Sequence, residues 1–286
     1  MRHAWPMEQY RRNDLIFDVR DAGPADGPVA VLLHGFPQHN DSWNVVIDRL
    51  TAQGYRCLAP NQRGYSPGAR PSRRRDYRIP ELVADVGALI DASGARRVHL
   101  VGHDWGAAVA WAAAAEMPER LATVSPISVP HPAAFLKSFV TSRQGLASWY
   151  MYFFQLPRIP EWLLMRRNGA IASDSLRRGG QIPAAVERDV DAMREPGAMR
   201  AAINWYRAMP LSNPRAINQK VSVPTLYVWS DQDIALLPKS AHDTARYVTG
   251  EYRFEILPGV SHWIPDEQPD KLADLLLDWF AAHQSD

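Results

Sequence analysis

Residues 98–111 constrain the fold of this chain more than any other stretch, because they join a buried-strand pattern directly to a helix pattern. Residues 98–101 form a short apolar, β-branched run, and residues 105–117 form an alanine-rich run that ends at a proline. Between the two runs, residues 102–106 read Gly-His-Asp-Trp-Gly. A turn this sharp requires small residues on both sides of its tip, since a Cβ there would clash. The pattern therefore predicts a strand, a tight turn with Asp104 at its tip, and a helix.

An aspartate at this tip has a chemical use. The turn is expected to place Asp104 above the carboxyl edge of the sheet, at a helix N-terminus where the helix dipole favours negative charge. An aspartate is ionised at neutral pH and can act as a nucleophile at once, whereas a serine first needs a base. The plainer alternative is that Asp104 is only the N-cap of the helix. The pentapeptide alone does not separate these two interpretations.

The first half of the chain predicts an α/β fold. The length of 286 residues, 46% of them hydrophobic, is enough for a large core with one insertion. Strand patterns occur at residues 15–20 (an expected edge strand), 29–33, 55–60, 98–101 and 121–129, and helix patterns occur at residues 41–53, 80–93 and 105–117. Alternating strands and helices are typical of a mostly parallel sheet flanked by helices.

The pattern changes after residue 130. Residues 131–219 are helical in pattern, rich in aromatic residues and interrupted by prolines, without a strand signal. Strand patterns return at residues 224–229 and 253–257, and helix patterns return at residues 238–247 and 267–283. We therefore predict a core domain made of residues 1–130 and 220–286, with a helical cap domain of residues 131–219 inserted after the sixth strand.

Composition limits the partners that we expect. The net charge of +1 gives no reason to expect nucleic acid, and the arginines in residues 70–78 are interpreted as a solvated loop. The single cysteine, Cys57, allows no intramolecular disulfide and is interpreted as a small core residue. Without a secretory signal or a run long enough to span a bilayer, the expectation is a cytoplasmic protein that uses no cofactor or metal. The oligomeric state, monomer or homodimer, is left open.

Through these motifs the chain resembles the α/β-hydrolases over nearly all of its length. In that family the catalytic residues follow the chain order nucleophile, acid, histidine. With Asp104 as the nucleophile, the resemblance implies Asp233 as the acid that follows the strand at residues 224–229. It also implies His262 as the histidine, in the stretch Gly-Val-Ser-His-Trp. Asp231 is the competing acid and is interpreted as a turn residue.

Residues 34–37, His-Gly-Phe-Pro, are the second strong match to the family. In α/β-hydrolases this turn often has a cis peptide before the proline and presents the N–H of its third residue to an oxyanion. The second donor is the N–H of the residue after the nucleophile. The resemblance therefore implies an oxyanion hole made by the backbone N–H groups of Phe36 and Trp105.

Three other histidines are weaker candidates for a catalytic role. His34 belongs to the turn before the proline and is expected to pack and hydrogen-bond structurally. His103 is next to Asp104 in sequence, but its Cβ should face away from the nucleophile. His131 begins the helical insertion and has no partner that the sequence identifies.

An aspartate nucleophile is suited to attack on saturated carbon, which gives an alkyl-enzyme ester. Water deprotonated by His262 can then hydrolyse that ester, with Asp233 holding the imidazole. Opening of an epoxide and displacement of a halide both fit this scheme. An epoxide oxygen leaves as a strongly basic alkoxide and needs an acid, and a tyrosine stays protonated at neutral pH.

Two stretches of the predicted cap are similar to epoxide hydrolases. Residues 150–157, Tyr-Met-Tyr-Phe-Phe-Gln-Leu-Pro, resemble their Y-x-x-Y/F-F-Q-x-P stretch, and residues 204–207, Asn-Trp-Tyr-Arg, resemble the stretch that carries their second tyrosine. This resemblance implies Tyr150 and Tyr206 as the acids. Tyr152 competes with Tyr150, but the spacing to the glutamine and proline favours Tyr150.

The sequence thus favours an epoxide hydrolase that acts on a small lipophilic epoxide and water. A haloalkane or haloacid dehalogenase with the same nucleophile is the main alternative. Phe36 stands where many haloalkane dehalogenases have asparagine, and Trp105 offers only one indole donor to a halide. Ala107 and Ala108 follow the nucleophile turn where fluoroacetate dehalogenases have arginines. A ligand-binding protein of the same fold without catalysis is the third hypothesis.

Overall fold

A computed structural model describes residues 6–212 and 218–284 of the chain. Eight strands form one sheet in the spatial order β1-β2-β4-β3-β5-β6-β7-β8. Their bounds are Gln9–Arg12 (β1), Leu15–Ala22 (β2), Val29–Leu33 (β3), Arg56–Pro60 (β4), Val98–His103 (β5), Leu121–Ile127 (β6), Thr225–Ser230 (β7) and Tyr252–Leu257 (β8). β1 and β2 are antiparallel to their neighbours and all other pairs are parallel. The prediction of an α/β fold with a mostly parallel sheet is confirmed.

Helices precede or follow most strands. Their bounds are Asn44–Ala52 (α1), Ile79–Ser93 (α2), Trp105–Glu116 (α3), Pro132–Thr141 (α4), Gln144–Ala147 (α5), Trp149–Phe153 (α6), Ile159–Arg178 (α7), Pro183–Met193 (α8), Ala198–Ala208 (α9), Pro238–Asp243 (α10), Ile264–Glu267 (α11) and Pro269–Ala282 (α12). The backbone of α7 leaves helical geometry at residues 166–169, which bends the element. None of the helices in the described parts of the chain is both long and apolar enough to cross a membrane.

The sheet is covered on both faces, and the strand period of two decides which side chain goes where. All five residues of β3 are buried. Val31 and Leu33 belong to the hydrophobic cluster that includes residues of α2 and α3, whereas Ala30 and Leu32 belong to the cluster formed with α1 and α12. Cys57 is fully buried in the second cluster, as expected for a small core residue.

The N-terminal end of the sheet differs from the prediction. Residues 15–20 were expected to form an edge strand, but β1 pairs with β2 and occupies the edge. The sequence Gln-Tyr-Arg-Arg of β1 has no apolar alternation, and only Tyr10 is buried, stacked on Phe17 at 4.7 Å between ring centroids. Pairing with a neighbouring strand, rather than a local pattern, therefore makes β1 a strand.

Two predicted helices also differ in detail. The helix expected at residues 41–53 begins only at Asn44, because Asn40–Trp43 forms a tighter 3₁₀ turn. The terminal helix expected at residues 267–283 is α12, and a separate short helix, α11, precedes it. A proline occupies an early position in each of these two helices, which is where a helix tolerates it.

The long insertion follows the sixth strand, as expected. The described residues between β6 and β7 contain helices α4 to α9 and no strand. α9 lies against the rest of the molecule along its whole length: each of its residues except Arg200 is buried. The Trp205 indole N–H of this helix donates to the backbone oxygen of Arg63 at 2.8 Å. The division into domains at residues 130 and 220 stays a prediction.

One buried histidine gives the fold a measurable pH dependence. His99 on β5 is 1% exposed, its ring stacks on Phe280 at 4.1 Å, and burial lowers its pKa to about 3. The unfolded chain binds a proton at this side chain near pH 6.5 and the folded chain does not. The contribution of His99 to stability is therefore complete above pH 6.5 and is lost as the pH falls towards the lowered pKa.

We expect the substitution His99→Phe to remove part of the acid sensitivity. Between about pH 7 and pH 5, the free energy of unfolding should fall by roughly 2 kcal/mol less in the variant than in the wild type, as measured by urea denaturation. The exposed His242, replaced by glutamine, is the control and should follow the wild-type curve. Parallel curves for His99→Phe and the wild type would contradict this explanation.

Candidate active site

The turn between β5 and α3 has the geometry that its sequence predicts. Asp104 lies between the two elements with φ 51° and ψ −117°. A Cβ on Gly102 would lie 2.2 Å from the backbone oxygen of Gly106, and a Cβ on Gly106 would lie 2.2 Å from the backbone oxygen of Leu33. Backbone packing therefore requires glycine on both sides of Asp104.

The turn after β3 presses against the Asp104 carboxylate. The Phe36 N–H donates to Asp104 Oδ1 at 2.7 Å. A Cβ on Gly35 would lie 2.4 Å from the Asp104 Cβ, so glycine is needed here as well. The peptide between Phe36 and Pro37 is cis, as the resemblance implies. Trp105 follows Asp104 as the first residue of α3. The N–H of Phe36 is thus aimed at one carboxylate oxygen, and the other oxygen is left for the rest of the site.

A histidine and a second aspartate complete a chain of contacts. His262 Nε2 lies 3.4 Å from Asp104 Oδ2, and His262 Nδ1 lies 2.6 Å from Asp233 Oδ2. Asp233 Oδ1 accepts the backbone N–H groups of Ala235 at 2.8 Å and Leu236 at 2.9 Å. Both His262 and Asp233 are buried. The structure therefore brings together the three residues that the sequence proposed for nucleophile, histidine and acid.

Asp231 has a different position. Its Oδ1 accepts the backbone N–H of Gly259 at 2.7 Å. This contact ties together the loops that follow β7 and β8, and Asp231 itself is exposed. The interpretation of Asp231 as a turn residue agrees with this geometry.

The charges of Asp104 and His262 depend on each other. Burial lowers the pKa of His262, but the negative charges and hydrogen bonds of Asp233 and Asp104 outweigh burial and raise it above its usual value. Burial raises the pKa of Asp104, but the hydrogen bond and charge of His262 lower it overall. The Asp104 carboxylate is therefore ionised, and the imidazole between the two carboxylates holds a proton strongly.

The sequence reasoning missed a hydrogen-bonded chain behind His262. His103 Nε2 lies 2.9 Å from the backbone oxygen of His262, and its Nδ1 lies 2.7 Å from Gln38 Oε1. Gln38 Nε2 donates to Asp266 at 2.7 Å, and Arg188 of α8 donates to the same carboxylate at 2.8 Å. The two ring nitrogens of His103 thus contact Gln38 and the His262 backbone oxygen and not Asp104. Only its position beside Asp104 and that of Gln38 after the His-Gly-Phe-Pro turn mark this chain in the sequence.

His34 and His131 have structural partners. The Gln62 backbone N–H donates to His34 Nε2 at 3.1 Å, and burial lowers the pKa of His34 to about 3. His131 accepts the Ala133 N–H at 3.2 Å at the start of α4, and its ring stacks on Tyr247 at 4.8 Å. Neither side chain is hydrogen-bonded to Asp104 or His262, although His131 lines the cavity that contains Asp104.

A cavity of about 240 Å³ lies above Asp104 and receives both predicted phenols. Tyr150 of α6 and Tyr206 of α9 line it, with their ring centroids 6.0 Å apart. The Tyr206 ring also meets the ring of Trp105 edge-on at 5.0 Å. Tyr152 is 62% exposed and does not line the cavity. The structure therefore separates Tyr150 from Tyr152 as the spacing argument did.

The phenols are held in their protonated form. Burial raises the pKa of Tyr150, and the negative charges of Asp104 and Asp233 raise it further. Burial and the charge of Asp104 likewise raise the pKa of Tyr206 well above its usual value. Each phenol is thus a hydrogen-bond donor throughout the neutral range.

The neighbours of Tyr206 fix its position. Gln155 Nε2 donates to the Tyr206 backbone oxygen at 2.8 Å. Arg207 donates to the backbone oxygen of Phe154 at 3.0 Å and forms an ion pair with Glu161 at 2.5 Å. Through these bonds the two motif stretches of the insertion, residues 150–157 and 204–207, hold each other in place.

Most of the remaining cavity wall is apolar. The residues that supply it include Ala108, Trp111, Ala112, Phe135, Leu136, Met151, Met209 and Leu236. No arginine or lysine of the described residues lines the cavity. The described residues also contain no group of three or more His, Cys, Asp and Glu side chains arranged to hold a metal ion. The wall is therefore suited to a ligand with an apolar body and one polar end near Asp104.

The α/β-hydrolases have this arrangement on a mostly parallel sheet: a nucleophile at a strand–turn–helix junction contacts a histidine that lies near the C-terminal end of the sequence. The family model described as "alpha/beta hydrolase fold" matches residues 28–269 of the chain. The chain belongs to this family.

Within the family the chain is similar to proteins named epoxide hydrolases. It is 31% identical to "Epoxide hydrolase A" of Mycobacterium tuberculosis, over 93% of this chain and 94% of that protein. It is 36% identical to "AB hydrolase superfamily protein YfhM" of Bacillus subtilis, over 93% of this chain and 95% of that protein. The crystal structure of "Epoxide Hydrolase A" from Mycobacterium thermoresistibile superposes with a TM-score of 0.84 at 25% identity, covering 99% of this chain and 100% of that one.

We expect the glycines of the turn to be intolerant of even one methyl group. Gly102→Ala should destabilise the protein by at least about 2 kcal/mol or prevent folding, because its Cβ would overlap backbone atoms. Gly87→Ala on α2 is the matched control, since its Cβ would meet only the Met117 sulfur at 3.9 Å. The control should be stabilised by up to about 1 kcal/mol through helix propensity. Equal free energies of unfolding for the two variants would contradict the packing argument.

Proposed function

We propose that the protein is an epoxide hydrolase that opens a lipophilic epoxide to a vicinal diol through an ester on Asp104. The observation that carries this proposal is that an ionised carboxylate and two protonated phenols face one apolar cavity. The names of the relatives support the same substrate class. Asp104 is proposed as the nucleophile, His262 as the base and Asp233 as the carboxylate that holds the imidazole. Tyr150 and Tyr206 are proposed as the proton donors.

In the first step, Asp104 Oδ2 attacks one epoxide carbon while Oδ1 stays bonded to the Phe36 N–H. The bond between that carbon and the epoxide oxygen breaks, and the oxygen takes a proton from Tyr150 or Tyr206. The product of this step is a hydroxyalkyl ester of Asp104 and a phenolate. Because Tyr206 is buried and Tyr150 lines the same cavity, the developing alkoxide meets donors that need no reorganisation.

Formation of the ester removes the negative charge of Asp104 and so changes His262. One of the two carboxylates that hold the imidazolium proton is gone, and burial then lowers the pKa of His262 with only Asp233 opposing it. The histidine gives up its proton, which restores the phenol. The neutral imidazole can now act as a base, which it cannot do while Asp104 is ionised.

In the second step, His262 takes a proton from water, and the resulting hydroxide attacks the carbonyl carbon of the ester. The charge on Oδ1 is stabilised by the Phe36 N–H and by the N–H of Trp105 at the start of α3. Collapse of this intermediate breaks the ester bond, and the leaving alkoxide takes a proton from His262 to give the diol. The carboxylic acid left on Asp104 then passes its proton to His262, which restores the ionised carboxylate, with one oxygen from water, and the imidazolium.

The cavity favours this reaction over the dehalogenase alternative. A leaving halide needs N–H donors, and Phe36 offers no side-chain donor while Trp105 offers one. A haloacid would need a cation for its carboxylate, and the described lining residues include none. Two phenols above the nucleophile are instead suited to a leaving alkoxide.

The direct test of the proposed function is turnover of an aryl epoxide beside a haloalkane, with diol and halide measured separately. We expect diol formation, no halide release, and loss of diol formation in Asp104→Ala. Halide release without diol formation would establish the dehalogenase instead. Tight ligand binding without turnover of either class would establish the non-catalytic alternative.

The two steps can be separated at His262. In His262→Gln the carboxylate can still attack, but no base activates water, so the ester should accumulate. Intact-mass spectrometry should show an adduct of one substrate molecule per chain, and steady-state turnover should fall by at least about a thousandfold. The exposed His242, replaced by glutamine, should give no adduct. Rapid turnover of His262→Gln without an adduct would contradict the proposed order of steps.

The two phenols are expected to substitute for each other in part. Tyr150→Phe and Tyr206→Phe should each reduce the rate of Asp104 alkylation by about tenfold, and the double variant should reduce it by at least about a thousandfold. Tyr152→Phe is the matched control because its side chain is exposed and outside the cavity. Pre-steady-state alkylation rates are the measurement. A double variant that alkylates at the wild-type rate would remove the phenols from the mechanism.

A further inference from the structure

Exposed apolar side chains are concentrated in one part of the insertion. Of the fourteen large apolar side chains exposed among the described residues, eight fall within residues 136–162. They are Leu136, Val140, Leu146, Trp149, Tyr152, Leu156, Ile159 and Trp162. Scattered single residues of this kind are normal on a protein surface, whereas a concentration marks a place of interaction.

Five of these residues form a surface that we call the cap face: Leu136, Val140, Leu146, Trp149 and Tyr152. α4, α5 and α6, which carry them, follow one another with connections of two residues and one residue. The rings of Phe139 and Tyr152 lie 5.9 Å apart and bring α4 beside α6. Val140 is 80% exposed, Leu146 77% and Trp149 64%, so none of these three has a partner that covers it within the described chain.

Positive charge predominates in the segment that carries the cap face. Residues 132–167 contain five cations, Lys137, Arg143, Arg158, Arg166 and Arg167, and one acid, Glu161. Glu161 is already paired with Arg207. None of the five cations forms an ion pair with a described residue. The segment therefore carries more positive than negative charge, with Lys137 acting on the carboxylate of Asp243, although the whole chain has a net charge of only +1.

A basic cleft continues this charge. Arg158 lies between the exposed Leu156 and Ile159 in sequence, and it lines a cleft of about 250 Å³ together with Arg74, Arg200 and the ion pair of Arg207 with Glu161. The structure gives the guanidinium groups of Arg74, Arg158 and Arg200 no ion pair among the described residues. Guanidinium groups bind phosphate oxygens in a bidentate manner, so the cleft is suited to the phosphate of a headgroup.

We propose that the cap face docks on the surface of an anionic phospholipid bilayer. The indole and phenol side chains of Trp149 and Tyr152 would lie at the level of the headgroups, and Leu146 and Val140 would enter the acyl boundary. The cations of residues 132–167 would then contact the lipid phosphates. A second copy of this chain fits less well, because a two-fold contact would bring the positively charged segment of one copy against the same segment of the other.

The cap face also adjoins the cavity. Leu136, which is 43% exposed, lines the cavity that contains Asp104, as do its neighbour Phe135 and Met151 of α6. A lipophilic epoxide dissolved in the bilayer therefore meets an apolar path from the docking surface towards the nucleophile. This route depends on the proposed function, whereas docking itself does not, and binding can be measured without turnover.

The test is co-sedimentation of the full chain with vesicles of phosphatidylcholine mixed with phosphatidylglycerol, compared with phosphatidylcholine alone. We expect partitioning at least about tenfold stronger on the anionic vesicles, weakened by salt. Trp149→Ser and Leu146→Ser should each lower it by about tenfold, and Arg143→Gln should lower it on the anionic vesicles only. Val45→Ser and Arg96→Gln are the matched controls and should bind as the wild type does. Both residues are exposed and lie outside the insertion.

Three outcomes would overturn the proposal. The first is binding to anionic vesicles no stronger than to phosphatidylcholine, and the second is equal loss in the control variants. The third is a dimer in sedimentation equilibrium that Trp149→Ser dissociates, without vesicle binding, since the face would then join two copies. Inorganic phosphate tests the remaining alternative, that the cleft binds a free oxyanion and not a lipid headgroup. Thermal stabilisation of the chain by phosphate, abolished in Arg158→Gln and found without vesicle binding, would assign the cleft to a free oxyanion. That result would also overturn lipid docking.

Discussion

The contact between two backbone turns determines the rest of the site. The turn after β3 and the turn after β5 approach so closely that Gly35 and Gly106 have no room for a Cβ, and the turn at Asp104 is itself so tight that Gly102 has none either. This approach brings the Phe36 N–H to 2.7 Å from the Asp104 carboxylate. A side chain at either turn would move the carboxylate away from its donor, so the chemistry of the site depends on backbone packing between neighbouring parallel strands.

The second constraint is charge. Asp104 and Asp233 contact the two ring nitrogens of His262, and burial alone would favour the neutral forms of Asp104 and His262. Each of these two groups offsets that effect for the other, and Asp233 also accepts two backbone N–H groups. Removing one charge by esterification must alter the others. The proposed mechanism uses this dependence. His262 is a poor base while Asp104 is an ionised carboxylate, and it becomes a better base once Asp104 is esterified.

Much of this architecture could be predicted from the sequence because it rests on local patterns. The apolar run of β3, the flanking glycines of the nucleophile turn and the spacing that selects Tyr150 over Tyr152 are all readable without coordinates. β1 was missed because only its partner strand makes it a strand. The chain from Arg188 through Asp266 to His103 was missed for the same reason, since its members are far apart in sequence and meet only in the fold. The cap face was missed because exposure is not a property of sequence pattern.

The claim on which the account depends is that oxygen from Asp104, not from water, enters the product first. A single-turnover reaction with excess enzyme in ¹⁸O-labelled water, followed by mass analysis of the diol and of the peptide that contains Asp104, tests it most directly. If Asp104 is the nucleophile, the diol from the first turnover carries no label and the Asp104 peptide does. A diol labelled in the first turnover, with an unlabelled Asp104 peptide, would show direct attack by water and contradict the account.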